Sequence, residues 1–110
     1  MSKINLKYEG KEYTLEFNRQ TVRTLESQGF NPEEVGSKPV TMIPLLFSGA
    51  FEKNHRGMKR TLRDEIYEAI PDKSSLLQAL FEMYVETLAT LTADNLDADS
   101  EGNVSWAVVN

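Results

Sequence analysis

Apolar residues between positions 4 and 17 recur at every second place. Ile4, Leu6 and Tyr8 fall on one side of an extended chain, and Tyr13, Leu15 and Phe17 can join them. This alternation predicts a β-hairpin over about 3–17. A two-residue turn at Gly10-Lys11, glycine first, sets Tyr8 opposite Tyr13, Leu6 opposite Leu15 and Ile4 opposite Phe17. Asn5, Lys7, Thr14 and Glu16 then face outward. Two strands alone are marginally stable, so the apolar face must rest on helices, or the free edges must find another strand.

Beyond Asn18 the spacing becomes helical. Asn18 is a good N-cap for a helix over about 19–28, with Val22 and Leu25 inward and Gly29 as the stop. Asn31-Pro32-Glu33-Glu34 predicts one brief turn, capped by asparagine with proline in first position. The run from Val40 to Phe51 is apolar on nearly every side, which predicts a helix enclosed by the others, over about 42–54. With Thr41 as cap, Pro44 falls in the first turn, where amides have no intrahelical partner anyway. A basic connector, Lys53 to Arg60, ends that helix. Thr61 with Asp64 resembles a capping box for a helix over about 62–70, with Leu62, Ile66, Ala69 and Ile70 on one face and Pro71 as the stop. Asp72 or Ser74 caps a helix over about 74–92, along which Leu77, Leu80, Phe81, Tyr84, Leu88 and Leu91 keep helical register. The predicted fold is α+β: an N-terminal β-hairpin packed on a bundle of about four helices, one domain over 1–92. Residues 93–110 read as an acidic tail, in which Val104 to Asn110 has the propensity of a terminal strand.

A chain of 110 residues suits one domain. Charge sharpens the picture. All 12 Lys and Arg residues lie at or before Lys73, so residues 1–73 carry +1 and the last 37 carry −6, giving a net −5. An acidic end repels phosphates, so nucleic acid is disfavoured and basic or apolar protein partners are favoured. The absence of cysteine removes disulfides and thiolate metal sites and fits a reducing compartment. The start lacks the long apolar segment of a secretion signal, and the run at 40–51 is too short to cross a bilayer, so a cytoplasmic location without a membrane is expected.

The search for chemistry yields little. Asp97, Asp99, Glu101 and Gly102 resemble the opening of a calcium loop, but Val108 stands where a bidentate glutamate is required, so the acids read as solvated. His55, the one histidine, has no neighbouring acid or serine motif and reads as a helix-end residue. Arg56, Lys59, Arg60 and Arg63 around it could contact phosphates, yet lack an aromatic platform and read as a solvated connector or a counterpart to the acidic tail. Glu33-Glu34 and Asp64-Glu65 sit at predicted helix starts, where negative charge is stabilising. No phosphate-cradling loop, GxSxG elbow or HExxH pair occurs, so no enzyme and no cofactor are expected. Trp106, the sole tryptophan, stands near the end of an acidic stretch and either folds back on the hairpin or anchors a partner.

Taken in order, the hairpin Ile4 to Phe17, the segment Asn18 to Phe30 and the run Lys38-Pro39-Val40-Thr41-Met42-Ile43-Pro44-Leu45-Leu46-Phe47-Ser48-Gly49-Ala50-Phe51 form a recognisable series. It continues through the helix Leu77 to Leu91 and the end Gly102-Asn103-Val104-Ser105-Trp106. The series resembles the small tail assembly chaperones of long-tailed phages and prophages of Gram-positive bacteria. The resemblance implies a protein that binds the tape measure protein, and also tail tube subunits, until the tube polymerises, and that then leaves the tail. It further implies a longer frameshifted form whose branching region is the tail of this chain. No family binding residues can be carried over. The residues themselves nominate Tyr8, Tyr13, Trp106, Val108 and Val109 as contacts to the partner or to a second copy. The competing reading is a small structural or head-tail connector subunit of a phage particle.

Overall fold

The computed structural model describes residues 2–92 and 106–109. Its elements are β1 (Ile4–Tyr8), β2 (Lys11–Leu15), α1 (Arg19–Ser27), a 3-10 turn (Pro32–Glu34), α2 (Pro39–Gly49), α3 (Arg60–Ala69) and α4 (Lys73–Ala89). The predicted α+β arrangement is the one found: a two-stranded antiparallel hairpin followed by four helices packed together. The acidic tail from 93 to 105, including the acids of the calcium-like stretch, lies outside the described residues.

The hairpin register is two residues away from the predicted one. Tyr8 pairs with Lys11, Leu6 with Tyr13 and Ile4 with Leu15, so the turn is Glu9-Gly10. Both turn residues have positive φ, 50° at Glu9 and 78° at Gly10. That is the type I′ signature, whose twist matches the strands, and glycine takes the second central place. A slip of two keeps the strand residues on their predicted faces, but Glu16, expected outward, is 8% exposed because Lys53 and Asn54 take up its carboxylate. It also releases Phe17 from the sheet, and the ring enters the core edge-on to Tyr84 at 5.9 Å between centroids.

Helix α1 starts as predicted. The Asn18 side chain accepts from the Thr21 N–H at 2.8 Å, and the Thr21 hydroxyl accepts from the Asn18 N–H at 2.8 Å, a reciprocal capping box. Gly29 follows α1 at φ 93°, and Asn31 caps the Pro32–Glu34 turn.

Helix α2 is the centre of the bundle, touching α1, α3, α4 and the 3-10 turn. Its bounds differ from the prediction at both ends. Lys38, not Thr41, is the N-cap and Pro39 is at the first helical position, so Pro44 lies inside the helix. Proline there removes the bond to the Val40 carbonyl. Val40 is 88% exposed, so this turn of the helix lies at the surface. The helix also ends at Gly49, five residues short of the predicted 54. The last carbonyls are taken by tertiary partners: Ala50 O accepts from the Glu16 N–H (2.9 Å), and Ser48 O accepts from Arg63 (2.8 Å). Gly49 permits the close approach of α1, because a Cβ there would meet the Leu25 side chain at 2.7 Å.

Helix α3 begins at Arg60 after Lys59, with no side-chain cap, so the predicted Thr61/Asp64 box does not form. Asp72 caps α4 by accepting from the Ser75 N–H at 3.2 Å, and the helix closes at Ala89 rather than 92. Phe30, Phe47, Phe51, Leu46, Leu80 and Tyr84 fill one core with the inner face of the hairpin.

Candidate partner-binding surface

The five residues nominated from sequence separate into three places. Tyr13 is a core residue at 7% exposure, set edge-on to Phe51 and His55, and is not available to a partner in this fold. Tyr8 is half-buried at the end of β1, where desolvation pushes its phenol up and the charges of Glu9 and Glu65 add to that. Trp106 (84%), Val108 and Val109 (92%) are exposed, and none of 106–109 pairs as a strand. The structure does not bring Tyr8 and these terminal residues together.

Other apolar side chains at the surface escaped the sequence reading. Val40 and Val85 are exposed, and so is Leu91, which was expected in the stripe of α4 but falls beyond the helix end at Ala89. Val40 lines an open groove with Pro39, Ile43, Pro44 and Tyr67 between α2 and α3. Val85 lines another with Phe81, Glu82 and Glu86 along α4, and Leu91 a third with Arg19, Val22 and Leu88. Position within the helix could have flagged Val85, which lies one residue past the inward Tyr84 and so about 100° round the helix from it.

The outer edge of β2 is capped at Thr14. The Thr14 N–H donates to His55 Nε2 at 2.9 Å, and its carbonyl accepts from Asn54 Nδ2 at 3.3 Å. The ring nitrogen thus serves as a side-chain partner for the strand's backbone. Beside it, the Glu16 carboxylate accepts from Lys53 Nζ at 2.6 Å and Asn54 Nδ2 at 3.2 Å. The Lys53 hydrogen bond holds the Glu16 carboxyl below the usual range, against an opposing effect of burial.

The basic cluster read along 55–63 is divided by the fold. Arg56, Lys59 and Arg60 face solvent, whereas Arg63 is only 5% exposed. Its guanidinium donates to Ser48 O (2.8 Å) and Oγ (3.1 Å), Glu52 Oε2 (3.3 Å), His55 O (3.3 Å) and Arg56 O (3.4 Å). It pins the connector from 49 to 59 onto α3. Spacing held the clue, since Arg63 stands three residues before Ile66 and so lies on the inward stripe of α3.

Among the described residues, no group of three or more His, Asp or Glu side chains could hold a metal ion, and no helix is long and apolar enough to cross a membrane. Among the described residues, what the surface offers is a strand edge on β1 without a partner and, apart from it, separate exposed apolar side chains. Comparison with curated proteins and with solved structures gave no match to either. A family signature spans residues 1–109, and the chain belongs to the family described as Domain of unknown function (DUF5055).

Proposed function

We propose that this protein is a tail assembly chaperone of a long-tailed phage or prophage. It binds the tape measure protein, and also tail tube subunits, in the bacterial cytoplasm and leaves before the virion is complete. The observation that carries this reading is a small packed core bearing solvent-exposed apolar residues, Trp106 and Val109 foremost, on a chain of net charge −5. A client that is long, helical and prone to aggregate requires apolar contacts that form reversibly and a charge that keeps the complex dissolved. The order of elements from the hairpin to the α4 helix is the order of the resemblance, which adds weight to the same reading.

Co-expression with the tape measure protein encoded beside it tests the proposal. The two should co-purify, the tape measure protein should become soluble, and deletion of 93–110 should weaken capture while helical circular dichroism is kept. Capture undiminished by the deletion would remove the terminal residues from the interface. Presence of the protein in purified virions would overturn the chaperone reading in favour of a structural subunit.

A further inference from the structure

The two edges of the hairpin are unequal. Along β2, Thr14 and Glu16 send their outward backbone groups to His55, Asn54 and Ala50. Asn5 is the cross-strand partner of Thr14, and Lys7 lies two residues on, so their N–H and C=O groups point away from β2 on the other side. No group among the described residues meets them there. Such an edge is a template for one more strand.

The chain carries a segment suited to it. Trp106–Val109 is apolar, rich in strand-forming residues and exposed along its length. Reach is no obstacle. Glu86 on α4 accepts from the Ser2 N–H (3.1 Å) and hydroxyl (2.9 Å), which clamps α4 beside the start of β1. Residues 93–105 can span up to about 43 Å when extended, against about 17 Å for the length of β1. Charge is complementary as well. Lys3 and Lys7 flank the outward row of β1, and the sequence leading to Trp106 holds Asp94, Asp97, Asp99 and Glu101 with no base. The groove containing Phe81 and Val85 also contains Glu86, the acceptor of the Ser2 clamp, so it borders the start of β1.

We propose that Trp106–Val109 binds the β1 edge of its own chain as a third strand, with Trp106 seated over Phe81 and Val85. Docking satisfies the backbone groups of Asn5 and Lys7 and covers the apolar residues until another strand displaces the segment. This does not depend on which client the protein serves.

Trp106 is the sole tryptophan, so the fluorescence of the full chain reports on the segment directly. Emission should be blue-shifted from that of N-acetyltryptophanamide and acrylamide quenching several-fold weaker, both independent of protein concentration. Two variants should abolish the protection while preserving far-ultraviolet circular dichroism. Lys7→Pro removes an outward N–H without touching the ladder to β2, and Val85→Glu places a charge in the groove. Emission equal to that of the free amide overturns the proposal, as does protection that survives both variants. Protection that appears only as concentration rises assigns the strand to a second copy and overturns docking within one chain.

Discussion

Replacing Arg63 by methionine keeps an apolar stem of similar length against Phe51, whose ring centroid lies 5.8 Å from the guanidinium carbon, and removes only the donors. Three of the acceptors left behind are the backbone carbonyls of Ser48, His55 and Arg56, which no substitution can delete. The usual rescue of a buried polar pair, making both partners apolar, is therefore closed. A buried acceptor without a partner costs about 1–3 kcal/mol, and bonds from charged donors contribute about 1.5–3 kcal/mol each. The Ser48 carbonyl keeps the Phe51 N–H at 3.1 Å and the His55 carbonyl that of Met58 at 3.1 Å, so what is lost at Ser48 is a short bond from a buried charged donor rather than every partner. The longer bonds at 3.3–3.4 Å, including that to the half-exposed Glu52 carboxylate, add less because water can replace them. The expected loss for Arg63→Met is about 3 kcal/mol, within the range for breaking a buried charged pair. In a domain of this size that corresponds to a fall in Tm of more than about 10 °C. Urea denaturation followed by circular dichroism measures it, with Glu52→Gln as the control expected to lose less than about 1 kcal/mol. A loss below about 1 kcal/mol for Arg63→Met would show that this arginine is a solvated connector charge, and the pinning argument would fail.

His55→Ala should cost about 1–2 kcal/mol by leaving the Thr14 N–H without its acceptor, and hydrogen exchange at the Thr14 amide should accelerate far more than at Leu15. Unchanged exchange would mean that the ring does not close the edge. Stability should also fall on the acid side. Hydrogen bonds from Lys53 hold the Glu16 carboxyl low, those from Ser75 do so for Asp72, and those from Ser2 for Glu86. A carboxyl with a lowered folded-state pKa binds its proton more readily when unfolded. Its contribution is therefore present above the unfolded value near 4 and is lost as pH drops through the folded values. A pH series of urea midpoints should decline below about pH 4, and Glu16→Gln should flatten the decline; an identical slope would refute the assignment to Glu16.

Local signals were enough wherever the information lay within a few residues. The alternation in 4–17 specified a hairpin, Asn18 announced its helix start, Asp72 was one of two caps offered for α4 beside Ser74, and Asn31-Pro32 announced a single turn. The continuous apolar run was enough to place α2 at the centre. The register failed because glycine is compatible with either place in a two-residue turn, and the choice rested on Glu9 accepting positive φ. The ends of α2 failed because Pro39 could serve as well as Thr41 to start it, and because distant groups captured its last carbonyls.

What the sequence determined by itself was the set of elements, their inward faces and the acidic imbalance of the chain, because periodicity, caps and charge are properties of neighbours. Only the tertiary structure decided that Tyr13 is interior, that Arg63 points into the core, that His55 serves a strand 41 residues away, and that Thr14 has outward partners while Asn5 and Lys7 meet none among the described residues. Each of those outcomes is a polar or aromatic side chain meeting a group far along the chain, and no local pattern encodes which distant backbone atom will need a partner.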